Sequence, residues 1–295
     1  MDEFKEKLIT LLHYPEISWH SIYQLLKKDP TLRSVPQVHS SPSTQLSLCL
    51  SPANRTENLP TITVHPTDLI SQKIQQYKAN GIRVITIFDQ EYPSLLKEIY
   101  QPPWALFVKG DLSLLRMDKK LAVVGSRQST QYGKNAIRLI FPGLINKGIL
   151  IVSGLAKGID CYAHEYAINN GGKTIAVIAG GFHHIYPKEN LPLAIEMMTN
   201  QLIISEYPPD TKPLKWHFPA RNRIISGLAI GTFIIEAKRK SGSLITANYA
   251  INEGRDVFAL PGSIFNPFSF GTNDLIQQGA KLVTKAEDIL EEYRL

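Results

Sequence analysis

A chain of 295 residues has room for one large domain and a smaller one, and its 43% hydrophobic and 20% charged residues are the balance of a water-soluble globular protein. No apolar run nears the roughly 20 residues that cross a bilayer, and Cys49 and Cys161 are too few for a disulfide framework and lack metal-ligand spacing. The formal net charge of +6 favours a polyanionic partner where it clusters, as between Tyr207 and Arg223, where Asp210 faces Lys212, Lys215, Arg221 and Arg223. A solvated basic loop is the alternative to such a patch. The opening MDEFKEKLIT mixes acids with lysines and is no signal peptide, so a cytoplasmic protein is expected.

Helical spacing marks the first 32 or so residues through Phe4, Leu8, Leu11, Leu12, Ile17, Ile22, Leu25 and Leu26. A stretch rich in Ser, Pro, Thr and Asn over 34–66 is expected to be a linker or irregular excursion, and helical spacing resumes from Ile70 to Tyr77. Residues 1–75 are therefore expected to be a small helical domain, with 76–295 as the main domain. From Arg83, RVITIF and WALFVKG predict two strands. Then LAVVG, ILIVSG, KTIAVIAGG, LIISEY, TFIIEA and DVFALPG recur with helix-length spacers between them. Strands this apolar on successive positions are buried on both faces, which means a parallel sheet covered by helices. The fold class is α/β, an extended Rossmann-like, doubly wound, mostly parallel sheet behind a small helical N-terminal domain.

Such sheets bind ligands beyond the carboxyl ends of their strands, so the loop after each run holds the candidates. The first is Gly125-Ser126-Arg127, leading to Gly133. Its glycines admit close backbone approach, and the next helix offers free N–H groups to an anion. It is not a dinucleotide fingerprint, because Arg127 stands where that motif needs room for pyrophosphate. Its guanidinium suits a bidentate phosphate contact or, alternatively, a salt bridge capping the sheet. The second loop holds Gly154, Lys157 and Asp160, the last also readable as a first-turn acid of the following helix; His164 reads as a structural partner. The third holds Phe182, His183, His184, Tyr186 and Lys188; adjacent histidines diverge, so no metal site is expected. The fourth leads through Trp216 and Phe218 into Pro219-Ala220-Arg221-Asn222-Arg223. Arg221 and Arg223 cannot share a helix face, so one enters the site while the other fixes structure. The fifth holds Glu236, Lys238, Lys240 and Ser241, and the sixth strand ends in Leu260-Pro261-Gly262. Basic residues with aromatics at one sheet edge suit single-stranded nucleic acid, phosphates on cations and bases on rings. There is no serine–histidine–acid order with a nucleophile elbow and no Walker sequence.

The segments GSRQSTQYG, SGLAKGID, YPKEN, FPARNRIISG, EAKRKSGSLITANYAINEGRDVFALPG and GTNDLIQQGA resemble the DprA/Smf family of bacterial DNA-processing proteins over residues from about 83 to 290. The resemblance implies a homodimer without enzymatic activity or cofactor. It binds and protects single-stranded DNA and helps load the RecA recombinase onto it during transformation and recombination. It further implies DNA contacts at Arg127 and Lys188, then at Arg221 and Arg223, and a self-association or recombinase surface near Leu275 and Ile276. The winged-helix module of some family members is not expected after Leu295, and the helical domain matches the family's sterile-alpha-motif-like module only loosely. The alternative is a nucleotide N-glycosidase, similar to phosphoribohydrolases, with Glu236 at the sugar. Here Pro261-Gly262-Ser263-Ile264-Phe265-Asn266 lacks the second glycine and the acid of that family's loop.

Overall fold

The computed structural model describes residues 2–35, 44–46, 62–64 and 67–293. The chain divides into two compact units, Met1–Thr86 and Ile87–Leu295.

In the first unit, α1 (Glu3–Leu12) buries Leu8, Ile9 and Leu11. Helix α2 (Trp19–Lys28) starts where the Ser18 hydroxyl accepts the Ser21 N–H at 3.1 Å, which satisfies one of the free amides of its first turn. Strands β1 (Thr44–Leu46) and β2 (Ile62–Val64) pair antiparallel, Leu46 opposite Ile62. The polar stretch expected to be irregular therefore carries a short ribbon, and apart from Ser34 and Val35 its remainder lies outside the described residues. Helix α3 (Thr67–Ala79) buries Ile70 and Tyr77, with the Tyr77 hydroxyl 2.9 Å from His13 Nε2, and β3 (Arg83–Thr86) ends the unit.

The second unit opens with α4 (Ser94–Lys97) and β4 (Ala105–Gly110). It then alternates as the apolar runs require: β5 (Lys120–Val124), α5 (Gln131–Asn146), β6 (Leu150–Ser153), α6 (Ile159–Asn169), β7 (Thr174–Ile178), α7 (Leu191–Asn200) and β8 (Leu202–Ser205). It continues through α8 (His217–Gly227), β9 (Gly231–Ile234), α9 (Gly242–Asn252), β10 (Asp256–Ala259), α10 (Phe270–Gln277), β11 (Lys281–Leu282) and α11 (Glu287–Leu290). Within this unit the strand order is β11-β10-β9-β5-β6-β7-β8-β4. Neighbours from β11 to β8 are parallel, while β4 runs antiparallel to β8 with Phe107 opposite Ser205. The doubly wound sheet expected from the sequence is thus the observed architecture.

The order fixes where a ligand can enter. From β5 the chain moves outward through β6, β7 and β8, then returns to lay β9 on the other side of β5. Right-handed crossovers put α8 and α9 on the face opposite α5 and α6. The connections after β5 and β9 leave in opposite directions and open a crevice between them. Beneath it, α5, α6 and α11 cover a core that includes Val123, Ile151, Phe233 and Phe258.

Histidine 164 belongs to this interior. Its Nδ1 lies 2.6 Å from the Thr174 hydroxyl, which itself donates to the Ile151 carbonyl at 2.8 Å. The hydroxyl can then only accept from the ring, so the imidazole proton resides on Nδ1. Burial, reinforced by the nearby Arg221 charge, pushes His164 down to about 3. An unfolded histidine titrates near 6.5, so the unfolded chain holds the extra proton between these values. The His164 contribution is complete above pH ~6.5 and is lost as pH falls towards ~3. Urea unfolding of wild type and His164→Gln across that window is expected to show a smaller acid loss in the variant.

Candidate nucleic-acid interface

At the β5/β9 switch lies an open cleft of about 740 Å³, walled by the loop after β5, by α8 and by the segment leading into α9. A hollow of about 260 Å³ adjoins it, bounded by the loop after β6 and by Tyr186 and Pro187, with Arg127, Phe218 and Arg221 common to both.

Two glycines allow this construction. Gly158 has φ +86, and a Cβ there would stand 2.3 Å from the Ser126 carbonyl. This left-handed position suits glycine, and it lets Ile159 N–H reach that carbonyl at 3.1 Å. Gly154 is required for a different reason. A Cβ on it would lie 1.5 Å from Arg221 Nη1 and 2.7 Å from Asp160 Oδ2. The space a side chain would fill is occupied by the guanidinium.

Arg221 reaches from α8 across the ends of β6 and β7, and only 4% of it is exposed. Its Nη1 donates to the Val177 carbonyl at 3.1 Å, while its buried Nε has no partner. Burial pushes its guanidinium down to about 10 and Arg127 adds to the fall, while the Asp160 carboxylate opposes it. At neutral pH it is still charged. Asp160 is the matching buried acid. Burial pushes its carboxyl up, while Arg221 and the amides of Gly125, Gly154 and Ala156 pull it back. It is therefore more than a first-turn acid: its carboxylate accepts the Gly154 N–H at 3.2 Å and offsets the buried Arg221 charge through the field between them.

Arg127 is the exposed counterpart. Its guanidinium lies 5.7 Å from the centre of the Phe218 ring, and among the described residues no carboxylate pairs with it. The rim continues through Gln128, whose Oε1 accepts from Lys238 Nζ at 3.3 Å. Asn222 Nδ2 donates to the Gly242 carbonyl at 3.2 Å and joins α8 to the start of α9. Fixed buried charge, free surface charge, backbone amides and two rings make an anion and ring site.

The description DNA recombination-mediator protein A, as a protein family, matches residues 83–294. The chain belongs to this family. Among its relatives, the DNA processing protein DprA of Bacillus subtilis (strain 168) is 53% identical over 216 residues, 73% of each chain. That of Streptococcus pneumoniae (strain R6) is 50% identical over 224 residues, 76% of this chain and 77% of the relative. The X-ray structure of DprA from Streptococcus pneumoniae superposes with a TM-score of 0.81 at 40% identity over 99% of each chain. A structure of DNA processing protein A from Helicobacter pylori, described as showing a single-stranded DNA binding mode, has a TM-score of 0.64. It is 33% identical and covers 72% of this chain and 95% of that one.

Within the family-matched segment the structure gathers some of the expected residues and disperses others. Gly125, Ser126, Arg127, Arg221, Asn222, Lys240 and Ser241 line the cleft, and Gly154 and Lys157 line the hollow, where Lys157 Nζ pairs with Glu189 at 3.2 Å. Lys188 is exposed and borders neither cavity. Arg223 turns away and pairs with Glu206, so the two arginines of α8 divide as their helical spacing required. Phe182 is 7% exposed and packs inside a 3-10 turn. The rings at the cleft are Tyr186 and Phe218, edge to face at 5.6 Å. Leu275 is buried on α10 and Ile276 half-buried. Gln128, Lys215 and Lys238 also line the cleft, and their lysines stood within the basic clusters of the sequence.

Glu236 has a local task. It is buried, accepts the Thr130 N–H at 2.9 Å and also the Thr130 hydroxyl, at the amino end of α5. Gly133 leaves room for it, since a Cβ there would stand 2.7 Å from Glu236 Oε2. Both oxygens are engaged where an acid complements the helix dipole, which argues against a sugar-directed catalytic carboxylate. Among the described residues no group of three or more His, Cys, Asp or Glu side chains could hold a metal ion, and His183 pairs instead with Asp210 at 2.8 Å. No described helix is long and apolar enough to cross a membrane.

Proposed function

We propose that this chain binds single-stranded DNA in the cleft, phosphates on Arg127, Arg221 and the loop amides, bases against Tyr186 and Phe218. The observation that carries this reading is Arg221, a buried cation in the wall of the cleft, its charge offset by the nearby Asp160 carboxylate and one buried donor unused. Such a charge is preorganised for an anion and needs no reorganisation on binding. The reading is a DNA-processing role in uptake and recombination, in the cytoplasm, exercised by binding rather than by catalysis. Single-strand preference is supported by the Helicobacter pylori relative, which is described as binding single-stranded DNA. A homodimer that protects the strand and passes it to a RecA recombinase completes the proposal, with half-buried Ile276 on α10 as the marker of the contact surface.

The test is a salt titration of binding to single-stranded and duplex oligonucleotides. A steep dependence with single strands bound more tightly is expected, the slope reporting neutralised phosphates. Arg127→Ala should weaken single-strand binding by about 1–3 kcal/mol, the range for loss of a charge-assisted contact, with little change in melting temperature because the side chain is exposed. Unchanged affinity at moderate salt would remove Arg127 from the site. Sedimentation of Ile276→Arg checks the self-association surface: a monomer supports it and an intact dimer moves it elsewhere.

A further inference from the structure

On the reading that the cleft holds single-stranded DNA, we propose that the loop over 261–269 is a base-stacking platform, with Phe265 as the ring that receives a base leaving the cleft. The loop follows β10, the neighbour of β9, and so emerges at the same strand-end edge as the cleft. Backbone bonds pin it there. Ala237 N–H donates to the Phe268 carbonyl at 2.7 Å, and Gly271 N–H donates to the Ala237 carbonyl at 2.8 Å. Asn273 braces Gly262 through both its amide groups, at 3.2 and 3.0 Å. Its tip is equally ordered, since Ser263 accepts the Phe265 N–H at 3.2 Å and Asn266 accepts the Phe268 N–H at 3.0 Å.

This braced tip holds Phe265 at 86% and Ile264 at 73% exposure. Two adjacent large apolar side chains on a rigid projection cost solvation and gain nothing for the fold, which marks a contact surface. The neighbouring charge selects the occupant. Lys238 Nζ bonds Gln128 on the cleft rim and lies 4.6 Å from the centre of the Phe268 ring, so cleft, cation and loop are contiguous. Arg239 is already paired with Asp274 at 3.2 Å, whereas Lys240 lines the cleft beside it. Cations along a path with a ring at its side suit a single strand, backbone on the charges and a base on the ring. A second copy of this chain meeting the same loop across a two-fold axis would bring lysines against lysines.

The test uses the full chain and oligothymidylates carrying one 2-aminopurine. One length is about 6 nucleotides, enough for the cleft, and the other about 20, enough to reach beyond it. Phe265→Ala is expected to weaken the longer oligonucleotide by roughly 5- to 10-fold, the low end of a lost base stack, and to leave the short one unchanged. Quenching of 2-aminopurine in the longer strand should fall in Phe265→Ala and persist in Phe265→Trp. Equal affinity for the longer strand in wild type and Phe265→Ala overturns the platform, as does a change in sedimentation instead of affinity, which would make the loop a self-association surface. Arg127→Ala weakens both lengths if the cleft reading is right. If it weakens neither while the Phe265 effect remains, the cleft fails and the platform stands.

Discussion

An Arg221→Met chain unfolds about 3–5 kcal/mol more readily than wild type, the penalty for leaving a buried charge without its partner. It also loses most of its affinity for single-stranded DNA. The two losses have one cause. Methionine fills much of the space but leaves the Asp160 carboxylate buried, with burial pushing its carboxyl up and no cation to oppose the shift. The Val177 carbonyl loses its 3.1 Å donor at the same time. Chemical denaturation should therefore show the deficit largest near neutral pH. It should shrink as acid protonates Asp160, because the variant then no longer holds an uncompensated charge. Asp160→Asn in the same chain should recover much of the stability and none of the affinity, since the amide removes the buried charge but restores no phosphate contact. Arg221→Lys keeps the charge but cannot reach the Val177 carbonyl and present further donors from one planar fork, so it should recover little of either. Stability within about 1 kcal/mol of wild type, inside the usual surface-substitution range, would show that the buried pair is not what supports this edge of the sheet.

Much of the main unit could be read because its strands are buried on both faces. LAVVG, TIAVI and LIVS leave no polar alternation, and the helical spacers between them force parallel pairing. The direction of β4 could not be read, because its ALFV run is as apolar as that of a parallel interior strand; only its pairing with β8 sets it antiparallel. The loops that build the cleft followed from the strand-end rule, so Gly125, Arg127 and Ser241 were accessible from local pattern alone. What remained hidden depends on contacts far apart in sequence. Helical spacing separates Arg221 from Arg223, but which one faces the cleft is decided by the return of the chain to β5's far side, 97 residues after Val124 for Arg221 and invisible in any local window. Phe182 follows a double glycine as a ligand-facing ring would, yet its 3-10 turn folds it inward. Tyr186, four residues later and 54% exposed, takes the open position. Asp160 looks like any first-turn acid until the arginine that lies over it is placed by α8. Lys188 and Arg223 carry the same charge as the cleft residues and differ from them only in direction, which composition does not encode.

Gly154→Ala should be nearly as damaging as loss of Arg221, although it adds one methyl group. Its backbone is not in the left-handed region, so the substitution meets no conformational penalty of its own; the conflict is steric, with the Cβ 1.5 Å from Arg221 Nη1. Overpacking alone costs about 1–3 kcal/mol. Here the guanidinium cannot yield by a few tenths of an ångström without giving up the Val177 carbonyl and drawing away from Asp160. The expected loss is therefore about 3 kcal/mol or more, as for a broken buried pair, and single-strand affinity falls with it because the displaced arginine no longer keeps its place in the cleft wall. The mechanism makes a sharper demand than the magnitude. If the methyl acts through Arg221, the two substitutions cannot add: Gly154→Ala combined with Arg221→Met should be little worse than Arg221→Met, since the flexible thioether can move where the anchored guanidinium could not. Thermal and urea unfolding of the two single variants and the double variant complete that cycle. Strict additivity would mean that Gly154 serves its own strand end, and that Arg221 is held in place by something other than the space the glycine leaves.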